Sequence, residues 1–384
     1  MTAQVLIITK ESIVCSSDQA ATMSDGKTYD GMRKIFKLTD SLPAEIMFNG
    51  NADFENFSME TLISKFRSTV DFEKLKTIEN VKDEFIRFLS KNTQAGDVNE
   101  YLRDVLEYFK DDLISKIDAE GFDNVIANAR KKEILPFVEE YSRFADEFFG
   151  IIPEDRDKQE FNLVIWEMFC HELSFEGTGV IFAGFDIGHD FPSFFEINIH
   201  CNNHGEIVFE EVDSRVHCQN PYLKVFAINE EAYTFITGVN SNFEEDIKKY
   251  IDDSNELIIK DIRNLLEKEN IDDVDKIIVI CQTVINERYS DLTEYFEDFR
   301  LDTLEYTSYA IEYLPHWLLC DLADYLIQLT ALKQKISSEI ESVSMEADVT
   351  LMTKYSGLKW VKYDKGLNIL NSKYVCCDKY DFCI

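Results

Sequence analysis

The apolar residues of this 384-residue chain change their spacing repeatedly along its length, and the order of those changes limits the folds open to it. Val5-Leu6-Ile7-Ile8 is a short apolar run, Thr9 to Glu11 reads as a turn, and Ile13-Val14-Cys15 resumes extended chain. Lys34-Ile35-Phe36-Lys37-Leu38 alternates polar and apolar. So does Ala44-Glu45-Ile46-Met47-Phe48, which runs into the turn signal Asn49-Gly50-Asn51. Alternation of period two with β-branched content predicts strands here. The period then lengthens. Met59, Leu62, Ile63 and Phe66 recur at helical spacing behind Ser58, a suitable N-cap. Helical stretches are predicted over 81–89, 102–117, 134–149 and 161–173. Strands return over 179–186, then as a hairpin from 194–200 through Asn202-Asn203-His204-Gly205 to 207–212, and again over 223–228. Helices dominate from about 243 to 340, with a candidate strand at 276–281, before a last strand pair over 348–353 and 358–362. Strands, helices, strands, helices, strands suits an α+β fold of two packed sheets with helices outside, not a doubly wound parallel sheet. Residues 68–160 read as a helical insertion in a core made of 1–67 and 161–365, with 366–384 as a C-terminal tail.

Charge narrows the partners. With 39 Lys and Arg against 73 Asp and Glu, the net charge is −34. Such a surface repels a nucleic-acid backbone and an anionic membrane alike, so neither is expected as partner. The 45% hydrophobic and 13% aromatic content excludes a disordered acidic chain. No apolar run reaches the ~18 residues a spanning helix needs. Met1-Thr2-Ala3-Gln4-Val5 has no signal-peptide character, so a cytoplasmic location is expected. The nine cysteines then read as reduced thiols, with Cys376, Cys377 and Cys383 on the tail. His200, Cys201, His204, His217 and Cys218 raise the question of zinc. On a regular strand, however, His200 and Cys201 face opposite sides, and CxxC spacing is lacking. A polar hairpin tip is the expectation, and Asp186 and Asp190 read as loop carboxylates. No metal or cofactor is expected.

Thr2 carries more chemistry. Aminopeptidase removal of Met1 would leave Thr2 first, its hydroxyl a nucleophile and its own α-amine, of ordinary pKa near ~8, a general base. A nearby ammonium would lower that amine's proton affinity by repulsion, and a carboxylate would hold the ammonium in place. Asp18 ends the second predicted strand and Lys34 opens the third. A hairpin of the first two strands returns Asp18 beside Thr2, and the third strand can lie alongside and present Lys34.

Thr2, Asp18 and Lys34 stand sixteen residues apart in turn. That spacing resembles proteasome β-type subunits and the related bacterial peptidase subunit, which are N-terminal-nucleophile hydrolases. "IVCSSDQAAT", "GMRKIFKL", "IMFNGNAD", "GVIFAGFD" and "VSMEADVTLMTKYSGLKWV" look like successive segments of that family, and the chain is similar to uncharacterised bacterial proteasome-like proteins. The resemblance implies a four-layer αββα sandwich and threonine-type peptide or amide hydrolysis. It gives the oxyanion-binding N–H to Gly50, peptide-backbone pairing to Ala21 and Thr22, and an apolar specificity pocket to Met32, Phe36 and Phe48. It places Glu341 and Ser344 as late supports of the threonine, and Asn240 or Ser241 as a further support. It also implies a peptide or protein substrate, ring-like self-association and an ATPase partner. Ser344-Met345 stands where the family carries Gly-Gly. A catalytically silent scaffold, or a hydrolase of a small amide, are the alternatives.

Overall fold

The computed structural model describes residues 2–22, 28–127, 129, 131–132, 135–139, 150–154, 156–227, 230–269, 271, 273–337 and 341–362. Cys376, Cys377, Cys383 and the whole expected tail lie outside the described residues.

The chain opens with β1 (Ala3–Ile8) and β2 (Ser12–Asp18), a small ribbon of β3 (Ala21–Thr22) and β4 (Thr28–Tyr29), then β5 (Ile35–Thr39) and β6 (Ala44–Gly50). A second small ribbon, β7 (Asp53–Phe54) with β8 (Phe57–Ser58), leads into α1 (Met59–Thr69), α2 (Ile78–Asn92) and α3 (Val98–Glu120). The short α4 (Phe122–Ala127) and α5 (Pro136–Glu139) precede α6 (Lys158–Glu176). Then come β9 (Thr178–Phe185), β10 (Pro192–Asn203), β11 (Glu206–Arg215) and β12 (Tyr222–Ala227). Helices α7 (Glu230–Thr237), α8 (Ser241–Lys268), α9 (Val274–Glu312) and α10 (His316–Ile336) lead to β13 (Ala347–Thr353) and β14 (Gly357–Lys362). The candidate strand at 276–281 is part of α9. Its apolar run continues a helical stripe, with Ile278 buried and Val279 and Ile280 exposed, so length decides against a strand.

Two five-stranded antiparallel sheets carry the fold, in the orders β12-β1-β2-β13-β14 and β11-β10-β9-β6-β5. Every residue of β1 is buried because both faces are covered. Ala3, Val5 and Ile7 pack with Ala323, Leu326 and Ile327 of α10 and with Ala232 and Ile236 of α7. Leu6 and Ile8 meet Ile35, Met47, Ile181 and Phe194 of the second sheet. Strand alternation alone produces this division. The second sheet's other face buries Phe48, Val180, Phe182 and Ile197 under Leu62, Ile63 and Phe66 of α1 and Val81, Phe85 and Phe88 of α2. Phe85 makes edge contacts with Phe66 and Phe182 at centroid distances of 5.0 and 5.5 Å. Ser58 caps α1 by accepting the Thr61 N–H, as its sequence position predicts. Thr77 caps α2. Asp186 adds a carboxylate to the same helix start, where Oδ1 accepts the Ile78 N–H at 2.7 Å. A further apolar cluster joins α3 and α6 over one end of β10 and β11. Among the described residues no helix is long and apolar enough to cross a membrane.

Candidate active site

The site lies where β1 begins, β2 ends, β6 ends and the segment before β5 crosses between the sheets. Antiparallel pairing of β1 with β2 sets Gln4 opposite Ser17, so Asp18 returns beside the residues before Gln4. The Ala3 N–H donates to Asp18 Oδ1 at 3.0 Å. Thr2 is buried, with 4% of its surface exposed. Continuing the alternation of β1 one residue back puts Thr2 on the face shared by Gln4, Leu6 and Ile8, which looks toward the second sheet.

Lys34 comes from that second sheet. The third strand does not lie alongside β1 and β2: β5 pairs only with β6 among the described strands. Lys34 immediately precedes β5 and reaches across, with Nζ 2.8 Å from Asp18 Oδ1. Both side chains are almost wholly buried. Burial pushes the Lys34 ammonium below the ordinary lysine range, against the opposing pull of Asp18 first and then Asp348 and Asp30. Asp18 Oδ2 accepts the Ala20 N–H at 3.0 Å and the Ser344 N–H at 3.4 Å. The carboxylate therefore serves as a hub for four donors.

Gly50 ends β6 with φ +77, a conformation that strains any L residue. A Cβ there would also stand 2.6 Å from the Gly177 carbonyl oxygen. The turn is held to β1 by Gln4, whose Nε2 donates to the Phe48 carbonyl at 2.7 Å and to Ser17 Oγ at 3.2 Å. Gln4 Oε1 accepts from Asn49 Nδ2 at 3.2 Å.

The remaining expected residues divide. Ser344 reaches Asp18 through its backbone, while its hydroxyl accepts the Glu346 N–H. The Glu341 side chain is exposed, and its carbonyl accepts from Thr28 Oγ1. Ala21 and Thr22 form β3, pairing with Tyr29 and Thr28. Phe36 and Phe48 are stacked at 6.3 Å and buried in the second sheet's outer core, with Met32 half-buried against the same cluster. Asn240 is committed elsewhere: it caps α8 through the Phe243 N–H and donates to Glu230 and Thr234 of α7. Ser241 starts α8.

Sequence reasoning missed Asp348, Gln19, Gln4 and Glu45. Asp348 of β13 is buried and accepts from Gln19 Nε2 at 2.8 Å. The Gln19 carbonyl accepts the N–H groups of Gly31 and Met32, which fixes the segment leading to Lys34. Glu45 is fully enclosed between the sheets, where it accepts from Thr350 Oγ1 at 2.8 Å; burial pushes its carboxyl up to about 7. The missed signal is a polar residue at an interior-facing register position of an otherwise apolar strand.

The histidines and cysteines around the β10–β11 turn are also placed. A bulge between Ile199 and Cys201 breaks the alternation of β10. His200 and Cys201 therefore both abut the α3–α6 side, correcting the opposite-face expectation. His200 Nδ1 meets the Tyr101 hydroxyl at 3.1 Å and Cys201 joins the α3–α6 cluster. His217 Nε2 lies 2.9 Å from Asp186 Oδ2. No grouping of three His, Cys, Asp or Glu that could hold a metal ion occurs among the described residues.

No family model and no curated relative matches the chain. Among solved structures, the chain is similar to Anbu (ancestral beta-subunit) from Yersinia bercovieri, with 9% identity, 94% of this chain and 88% of that chain covered, and a TM-score of 0.38. It is also similar to an Anbu (Gly-1) mutant from Hyphomicrobium sp. strain MC1, with 10% identity, coverages of 95% and 89%, and a TM-score of 0.35. These neighbours correct the expected resemblance: they belong to the distinct Anbu group, not to proteasome β-type subunits or to uncharacterised proteasome-like proteins. At these scores the likeness assigns neither fold nor function to this chain.

Proposed function

We propose that this protein is a threonine-type amide hydrolase with Thr2 as nucleophile, exposed by removal of Met1. The observation that carries the reading is the buried Lys34–Asp18 pair at the start of β1, where Asp18 also holds the Ala3 N–H. A buried ammonium at that point does the one thing an N-terminal base needs: it lowers the proton affinity of the Thr2 amine by repulsion. Thr2 Oγ attacks the carbonyl carbon of the amide and passes its proton to the amine. The Gly50 N–H stabilises the oxyanion. Collapse breaks the C–N bond, the proton goes to the leaving amine, and water then hydrolyses the Thr2 ester. Asp18 orients Lys34, and Ser344 steadies Asp18 through its N–H. Ala21 and Thr22 offer backbone pairing to a peptide and half-buried Met32 an apolar contact, while Phe36 and Phe48, enclosed under α1 and α2 on the second sheet's other face, do not line a pocket beside Thr2.

The same reading takes the two sheets and their outer helices as a four-layer αββα sandwich. Its core is 1–67 and 161–365, and residues 68–160 are a helical insertion whose α2 is built into the outer layer. Intact mass tests the site: a chain lacking Met1 that gains one equivalent of a β-lactone on Thr2 supports it, and a chain that keeps Met1 excludes it.

A second reading, a silent binding protein on the same scaffold, is favoured by one observation. The Glu341 carboxylate is exposed rather than turned to the Asp18 cluster. A chain without Met1 that resists the lactone supports this reading.

A further inference from the structure

Gln4 is fully buried, yet it is a polar residue in a strand that otherwise contributes Ala3, Val5, Leu6, Ile7 and Ile8 to the core. Its carboxamide makes three contacts. Nε2 uses one proton on Ser17 Oγ of β2 and one on the Phe48 carbonyl of β6, and Oε1 accepts from the Asn49 side chain. Ser17 in turn donates to the Asp18 carbonyl at 3.1 Å. The amide's two protons and one of its acceptor sites are thus engaged by protein groups at a fully buried position. The contacts join two sheets: β1 and β2, which carry Thr2 and Asp18, and the last residues of β6, which carry Gly50.

Asn49 can take part only because residue 179 has no side chain. A Cβ on Gly179 would lie 2.4 Å from Asn49 Oδ1. Across the same turn, Gly50 stands against the Gly177 carbonyl. The glycines at 50 and 179 therefore let the end of β6 settle against the start of β9 with the Asn49 amide aimed at Gln4.

We propose that Gln4 is a positioning residue that fixes the Asn49-Gly50 turn relative to Thr2, so that the oxyanion-binding N–H and the nucleophile keep one spacing. The proposal rests on the hydrolase reading, but the tether it describes is measurable without catalysis. An apolar side chain of similar volume fills the space and leaves the Phe48 carbonyl and the Asn49 amide without their partner. The turn is then free to shift, and a shift of about 1 Å at a reacting centre costs on the order of 100-fold in rate.

The test compares the wild-type chain with Gln4→Met, Asn49→Leu and the double variant. Inactivation by a peptide epoxyketone gives a limiting rate and a half-saturating concentration, and amide hydrogen exchange is read over 48–51 and over α2. The limiting rate is expected to fall on the order of 100-fold in Gln4→Met. The half-saturating concentration should change by less than about threefold, since substrate binding is untouched. Exchange over 48–51 should quicken while α2 stays protected, and the double variant should be no slower than the worse single variant. An unchanged limiting rate, or an effect confined to half-saturation, would overturn the proposal. A wild-type chain that resists the probe sinks the hydrolase reading instead. Exchange over 48–51 then decides the tether alone, with faster exchange upholding it and unchanged exchange refuting it. If Gln4→Met does not fold, Asn49→Leu carries the same two measurements.

Discussion

Lys34, the residue just before β5 of one sheet, and Asp18, the last residue of β2 in the other, make a 2.8 Å contact where both side chains are almost wholly buried. Such a pair depends on both members. Removing either leaves the other charge buried without compensation, at a cost of about 3–5 kcal/mol. Lys34→Met and Asp18→Asn are each expected to lose that much in urea unfolding. The double variant should lose clearly less than the sum, because it strands no charge. Additive losses would show that the two side chains do not depend on each other.

Two buried titrating groups set opposing pH slopes. The Glu45 carboxyl, pushed up from 4.5 to about 7 by burial, holds its proton more tightly in the folded chain. The folded state therefore binds more protons than the unfolded state between about pH 4.5 and 7, and stability falls as pH rises through that window, by about 3 kcal/mol. The His200 imidazole is pushed down from 6.5 to about 4, mainly by burial and further by Lys132. Here the unfolded state binds more protons, so stability falls as pH drops from about 6.5 to 4, by a similar amount. Glu45→Gln should expose the histidine slope, with stability rising with pH. His200→Gln should expose the opposite slope. Chemical unfolding at half-unit pH steps reads both, and matching profiles for the two variants would contradict the assignment.

Gly50→Ala faces both a left-handed φ and the Gly177 carbonyl at 2.6 Å. Gly188 has φ +88 but open space around it. Gly50→Ala should therefore cost more than Gly188→Ala, which carries only the conformational penalty of about 1 kcal/mol. Thermal unfolding of the two variants checks the order. Equal losses would mean that the close approach to Gly177 relaxes freely.

Phe85 is fully buried and meets the rings of Phe66, Phe88 and Phe182. Phe85→Ala is expected to cost about 3–5 kcal/mol in urea unfolding. A loss below about 1 kcal/mol would show that α2 does not bury this ring against β9.

Strand order and helix type were legible where one periodicity ran uninterrupted, as in β1, β6 and α1. The candidate strand at 276–281 failed because its five apolar residues look alike in a strand and in about one turn and a half of a long helix. The approach of Lys34 to Asp18 was legible in the sequence, but not the sheet from which Lys34 comes, since the fifteen residues between them fit either arrangement. The bulge at His200 was invisible because an extra residue in one strand leaves no compositional mark. Asp348 and Gln19 lie 329 residues apart in the chain, and their contact arises only once β13 lies beside β2.

The central claim is that Thr2 is the nucleophile of this site. Intact-mass and peptide mapping of the purified chain after exposure to a β-lactone tests it most directly. The account expects loss of Met1, one added equivalent located on Thr2, and loss of that adduct in Lys34→Met. A chain that retains Met1, or an adduct carried by any other residue, would contradict it.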